Sequence, residues 1–500
     1  LLLAAKHGHA NCITTLHACF GDEIDYNAVD GYANSNALML AARRGHADCI
    51  TALYNAYGNK IDCNAVNCYN RNALLLAAQN GHTTCITALY NTYGDKINTV
   101  DCYNRNALLL AARYGHADCI TALYNTYGDK IDYNAVDCYN FNALLLATFS
   151  GCVDCITTLH TYFGDKIDYN AINKDKKRNA LMIAARYGYA DCIKALYNIY
   201  GDKIDYNAID YSNDNALLLA ARYGYADCIT ALYDAYGDKI DYNAVDCNNN
   251  NDNALMRAAR YGYADCITAL YNAYGDKINY NAVDADDRNA LLLAARNGHS
   301  SCITTLYNTY GDKIDVNAVD YNGDTVLLLA ARHGYADCIT ALYNAYGDKI
   351  DYNAVNKDKK RNVLLLAAEN DHSSCITASH NIYDYTIDIN AVDSDDKTAL
   401  EVAMTCENYD CVIKLCELFG KKIHTNLDKV LVSAVSQYAY CEDLLVALYT
   451  YCNDNIDWNS DYLLIIFAAL DSRYNSQKLL QILHKYWGDK IDINARSRDG

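Results

Sequence analysis

One segment, Asn106 to Ile120, returns along the chain nearly unchanged, and its cysteine marks the spacing. That cysteine falls at positions 12, 49, 85, 119, 155, 192, 228, 266, 302, 338, 375 and 411, at intervals of 34 to 38 residues that average about 36. Leu444 and Leu479 hold the same place in two further copies, which makes fourteen, and no linker interrupts them. A fixed period of this length is the signature of an array of small supersecondary elements.

Each repeat reads as two short helices and an extended finger. In the second repeat Asn36 is placed to cap the first helix, its side-chain oxygen accepting a backbone N–H. Leu38, Ala41 and Ala42 follow at i, i+3, i+4 while Met39 and Leu40 fill other faces, so this helix must lie between neighbours. Gly45 supplies the left-handed residue that ends it. Cys49, Ile50, Leu53, Tyr54 and Tyr57 form the apolar stripe of the second helix, which Gly58 closes. Ile61-Asp62-Cys63-Asn64-Ala65-Val66 alternates as an extended arm, and a turn from Asn67 to Arg71 leads to the next cap. One such repeat cannot bury its own apolar faces, so copies must stack. The expected fold class is therefore a mainly α solenoid of about fourteen helix–turn–helix plus extended-finger repeats. The array reads as regular over 1–396 and divergent over 397–500, where Trp458 and Trp487 appear and the Asn-Ala-Leu run is lost. The first and last repeats read as truncated, as in an excerpt of a longer protein.

Composition narrows the partners. Apolar residues are 52% and charged residues 21%, enough to build a core, and the complete lack of proline excludes collagen and polyproline ligands. Lys and Arg total 42 against 61 Asp and Glu, a net charge of −19, which repels nucleic-acid phosphates and anionic membranes. The longest strongly apolar run, Leu463 to Leu470, falls far short of the ~20 residues that span a bilayer, so no membrane insertion is expected. Twenty-three cysteines is an odd number in a chain too long for a disulfide-stapled miniprotein, and no Asn-x-Ser/Thr acceptor occurs. These features point to an intracellular, reducing compartment.

The run Ala-Leu-Leu-Leu-Ala-Ala, then Gly-His, an Ile/Leu helix, Gly-Asp and Asn-Ala-x-Asp resembles the ankyrin repeat over essentially the whole chain. Arg332-His333-Gly334 to Ala354 and Asp492-Ile493-Asn494-Ala495 are among its plainest stretches. The family opens its first helix with Thr-Pro-Leu-His-x-Ala, whereas here Asn-Ala replaces Thr-Pro and Leu or Met replaces the histidine. The repeat is also about three residues longer than the usual 33, around Tyr57-Gly58-Asn59-Lys60-Ile61-Asp62. The resemblance implies a β-hairpin finger and protein-binding through finger tips and a concave groove.

No residue set calls for catalysis, a cofactor or a metal. The cysteine column lies on the buried stripe, where cysteine packs as a small hydrophobe. Its members stand about 10 Å apart, one helix diameter, beyond the ~7 Å Cα limit of a disulfide. Cys152-x-x-Cys155 has the spacing of redox and zinc pairs, yet Cys155 belongs to the column and Cys152 fills the slot of a ring. Cys406, Cys411, Cys416 and His424 scatter around a helix. That ring slot holds His9, His46, His82, His116, His299 and His372 but Tyr189, Tyr225, Tyr263 and Tyr335 elsewhere, an exchange no catalytic histidine tolerates. Tyr124 and Tyr127 with their equivalents are expected to pack between repeats, hydroxyls towards the groove edge or water. Arg113-type and Asp118-type residues are expected to form solvated ladders.

Partner-binding residues are sought where otherwise uniform repeats diverge, at the finger tips. Two tips are identical and basic, Lys174-Asp175-Lys176-Lys177-Arg178 and Lys357-Asp358-Lys359-Lys360-Arg361. Lys174, Lys176, Lys177, Arg178, Lys357, Lys359, Lys360 and Arg361 are thus candidates for gripping acidic patches of a partner. Phe141, Tyr69, Tyr139 and Tyr211 are candidate aromatic anchors, and Arg257, which interrupts a leucine run, is a weak point or a groove contact. The function expected is a non-enzymatic, monomeric protein–protein interaction scaffold. The alternatives are the substrate-targeting part of a larger effector or ubiquitin-ligase adaptor, and a mechanical spacer.

Overall fold

The computed structural model describes residues 1–96, 99–247, 251–383, 386–424, 430, 441–452, 481 and 484–488. The chain packs as two compact blocks, 1–249 and 250–500, and each is a solenoid segment of stacked helix pairs. Twelve pairs are described, from Leu2–Lys6 with Ala10–Phe20 to Ala399–Thr405 with Tyr409–Phe419, and the helix Cys441–Cys452 follows them. Leu479, the run Leu463 to Leu470, Trp458 and Asp492 to Ala495 lie outside the described residues, while Trp487 of the copy counted from Leu479 is described and buried.

From Ala37–Arg44 onward the first helix of each described pair is short and largely buried. In Ala180–Tyr187 the Asn179 side chain accepts the Met182 N–H at 3.0 Å, and Ala180 through Ala185 are all buried. Eight residues is below the roughly 12–15 that an isolated helix needs in water. Stacking therefore holds it, each buried leucine contributing about 1.5–3 kcal/mol. The second helix, Ala190–Tyr200, buries only the stripe Cys192, Ile193, Leu196 and Tyr200. Gly201 follows at φ 53°, ψ −131°, a conformation open to glycine almost alone. It begins the 3-10 turn Gly201–Lys203, which lies where the sequence places the extra length of the repeat.

The arm departs from the expected extended hairpin. Among the described residues no strand forms, and only two isolated bridges occur, Val319 with Thr325 and Val392 with Thr398. The arm curls instead: the Asp205 carboxylate accepts the Asn207 N–H at 3.2 Å, a local bond that competes with strand pairing. Its asparagine then ties successive repeats. Asn170 donates to the Lys203 carbonyl at 3.0 Å and accepts the Asp205 N–H at 2.8 Å. Asn207 does the same to Lys239 and Asp241, and Asn317 to Lys349 and Asp351. Both bridges fall in repeats capped by threonine, whose hydroxyls accept the Leu328 and Glu401 N–H groups.

Tyrosines fill the seam between second helices. Tyr236 takes the Tyr197 ring edge-on at 5.2 Å and stacks on Tyr206 at 4.9 Å, both from the preceding repeat. The Tyr124 column stays part-exposed, as Tyr343 at 40%, but the hydroxyls of the Tyr127 column do not reach the groove edge as expected. Those of Tyr93, Tyr127, Tyr200, Tyr236, Tyr310, Tyr346 and Tyr383 are buried with no hydrogen-bond partner in the protein, and burial pushes the Tyr200 phenol up to about 12. Phe163 and Phe419 occupy the same place in two repeats.

Candidate functional site

Within each block a described finger tip is a tight turn tied to a neighbouring tip. Its first residue is an acceptor: Asp137 takes the N–H groups of Tyr139 and Phe141, each at 2.9 Å. Asn140 sits at φ 63°, which asparagine tolerates better than most residues, and its amide donates to the Ile172 carbonyl of the next repeat at 2.7 Å. A backbone zipper then joins consecutive tips, Cys68 N–H to Ala33, Cys102 to Tyr69, Cys138 to Tyr103 and Lys174 to Tyr139 carbonyls. In the C-terminal block Tyr321, Lys357 and Ser394 donate to Asp286, Asn322 and Lys359 in the same way. Side chains on these turns are pre-organised, which lowers the ordering cost of binding.

In the N-terminal block this row carries exposed tyrosines. Tyr32 is 91% exposed and Tyr211 63%, with Tyr69, Tyr103 and Tyr139 half-exposed; in the C-terminal block Tyr321 is 73% exposed. Sequence reasoning found Tyr69, Tyr139 and Tyr211 but passed over Tyr32, Tyr103 and Tyr321. The signal was present, because all six stand one or two places after the Asp or Asn that opens the turn. The Arg105 guanidinium, itself buried and paired with Asp101 at 3.0 Å, lies 4.5 Å from the Tyr103 ring centroid in a cation–π contact. Phe141 is half-buried and folds back edge-on to Phe149 at 6.1 Å, so it is not presented at the tip.

The basic tips divide by residue type. Lys174, Lys176 and Lys177 are exposed. Arg178 is only 7% exposed, and its guanidinium donates to Asp210 of the next repeat at 2.9 and 2.6 Å. Lys357 and Lys360 are exposed, while Lys359 is half-buried and lies 3.8 Å from Glu369. Arg361 is 6% exposed and held between Glu369 and Asp393, the latter at 3.2 Å. The reading of Arg178 and Arg361 as tip cations is therefore corrected: two guanidinium N–H groups of each converge on one oxygen of a buried carboxylate, and both arginines belong to the stack.

Where the last tip residue is acidic, the pairing reverses. Asp214 meets Arg222 at 3.5 Å, Asp252 meets Arg260 at 2.7 Å and Asp324 meets Arg332 at 2.9 Å. These first-helix arginines thus serve finger carboxylates rather than a solvated ladder with Asp118-type residues. The exposed ladder runs along the 3-10 turns, Lys203 to Asp165 at 2.9 Å, Lys239 to Asp202 and Lys313 to Asp276 at 2.6 Å. Arg257 is 2% exposed and engaged inside the fold, so the groove-contact reading is corrected as well.

The ring slot is structural. His82 Nε2 lies 3.1 Å from the Arg43 carbonyl of the preceding repeat. Its ring covers Gly45, where a Cβ would come within 2.8 Å of it. Tyr225 covers Gly188 equally closely, a Cβ there meeting its ring at 2.6 Å. Packing over glycine is common to both rings and the hydrogen bond is an extra, which is why they interchange. Asp371 stands in the glycine slot at φ 61°, and the residue facing it from the next repeat is Asn408 rather than a ring. Among the described residues no three His, Cys, Asp or Glu side chains come together so as to hold a metal ion. Nor is any described helix long and apolar enough to cross a membrane.

The family profile described as ankyrin repeats (3 copies) matches residues 1–101, 93–173, 159–246, 210–284 and 276–356. The chain belongs to the ankyrin repeat family. Among solved structures it is similar to the ankyrin repeat domain of Bcl-3, described as a unique member of the IkappaB protein family. That likeness has 21% identity and a TM-score of 0.40, covering 48% of this chain and 99% of the other. No curated protein matches the chain. Within this ankyrin array Thr325 and Thr398 keep the family's capping threonine, and asparagines such as Asn36 and Asn179 do the same work.

Proposed function

We propose that this ankyrin array is a non-enzymatic scaffold that binds other proteins through its finger tips and concave groove. The row of exposed tyrosines on turns zipped to one another carries the reading. Tyrosine offers large contact area with few rotatable bonds and is enriched at protein interfaces, and here it stands on a backbone that needs no further ordering. The basic tips, as Lys174, Lys176, Lys177, Lys357, Lys359 and Lys360, add acidic patches to what a partner can present. The net charge of −19 weighs against nucleic acid. The chain acts as a monomer in a reducing, intracellular setting, with regular repeats to 396 and a divergent docking end from 397.

The test is comparative affinity capture. The intact chain is set beside a variant carrying Tyr→Ser at positions 32, 69, 103, 139 and 211, and another carrying Lys176→Glu and Lys177→Glu with Arg178 untouched. Partners held by the intact chain should fall at least about thirtyfold with the tyrosine variant, the loss of one hot spot of about 2 kcal/mol, at unchanged helical circular dichroism. Equal recovery with all three proteins would show that the tips are not the contact surface.

A further inference from the structure

Cys152 is the one described residue of the ring slot that is a cysteine, and it caps the helix Val153–Phe163. Its Sγ accepts the Cys155 backbone N–H at 3.2 Å, as a capping oxygen would. The smaller side chain also uncovers its surroundings. A Cβ built on Gly115 meets Cys152 at 3.7 Å, against 2.6–2.9 Å where a ring fills the slot. Cys152 is part-exposed, whereas Cys155 is fully buried. Three residues apart at a helix start, the two Cα atoms stand about 5 Å apart by helix geometry, inside the ~4.4–6.8 Å window of a disulfide.

We propose that Cys152 and Cys155 form a redox-active dithiol that exchanges with small disulfides, a covalent modification site inside the fifth repeat. In the first step the Cys152 thiolate attacks one sulfur of a disulfide such as oxidised glutathione, forming a mixed disulfide and releasing one glutathione thiolate. The Cys155 thiol then loses its proton to water and attacks the Cys152 sulfur. This closes the internal S–S bond and expels the second glutathione thiolate, which takes up a proton. The protein loses two electrons and two protons, and the small disulfide becomes two thiols.

The electrostatics run the same way. The Cys155 thiol and N–H hold the Cys152 thiol down at about 6, against an ordinary value near 9, and the Cys155 thiol is pushed up by its contact with Cys152 and by burial. A helix N-terminus favours such a thiolate. A second pair among the described residues, Cys416 and Cys452, has no access to solvent. Both are buried, and contact with Cys452 and burial together push Cys416 well up.

The experiment uses the full chain, reduced, desalted and treated with oxidised glutathione, with acid quenching and peptide mass mapping. The Cys152–Cys155 link should appear before glutathione accumulates on exposed Cys68 or Cys102. Thiolate fraction, offset by the lower nucleophilicity of a low-pKa sulfur, makes the initial rate about fourfold that of an ordinary thiol at pH 7 and about twentyfold at pH 6. Cys152→His restores the ring that His116 supplies in the previous repeat and should fold normally while losing the fast reaction. The assignment is overturned if Cys152 reacts no faster than Cys68 at pH 6. It is equally overturned if glutathione stays on Cys152 without linking to Cys155, or if the fast reaction survives in the histidine variant.

Discussion

At position 236 a tyrosine hydroxyl is buried between two other tyrosine rings with no protein group to bond. An unsatisfied buried hydroxyl costs free energy that its ring does not need to spend, so Tyr236→Phe should leave the unfolding free energy unchanged or raise it by up to about 1 kcal/mol in urea titration. Carboxylates of the fingers differ in sign. Burial alone would raise Asp393, but the Lys397 and Asp395 N–H groups and Arg361 outweigh it and hold the carboxyl below its usual value. Burial raises Asp324, and the Arg332 bonds do not fully offset it. Asp393 therefore adds stability that is present above the unfolded value of about 4 and lost as pH falls through the folded one. Asp324 adds stability that is present below about 4 and lost as pH rises through its folded value. Carboxyl-carbon NMR titration of Asp393 and Asp324 should bracket the unfolded value from below and above. Neither sign is readable in sequence, since both residues are aspartates of a finger with an arginine among the partners.

At the scale of the element, the capped helices follow from local chemistry, and the arm does not. Asn36, Gly45 and Gly58 mark helix ends by their own backbone preferences, and each does so in the structure. The arm's apolar–polar alternation suggested a strand, but its Asp bends the backbone locally and its Asn bonds the next repeat. Asn170→Ala removes both the Lys203 and Asp205 bonds and should cost about 1–2 kcal/mol, with faster hydrogen exchange at the Asp205 amide. Lys203→Ala, which removes an exposed pair with Asp165, should leave the melting temperature unmoved.

At the scale of the whole molecule, the contacts that matter are between neighbouring repeats, as the hydrogen bonds from Asn170 and Arg178 show by joining residues 33 and 32 apart. Stability in such an array is a sum of local terms. Leu218, buried in the first helix Ala216–Tyr223, should cost about 2–5 kcal/mol on Leu218→Ala. Exchange protection should collapse in that helix and its neighbours while Ala73–Gln79 keeps its own. Uniform loss along the chain would contradict a sum of local terms. From sequence alone came the period, the helix pair, its caps and the ankyrin family, because helix ends and apolar spacing are written within one repeat. Only the tertiary structure decided which charged and aromatic tip residues face water. Arg178 and Lys177 are adjacent in the chain, but the carboxylate that buries one of them, Asp210, belongs to the repeat stacked against it.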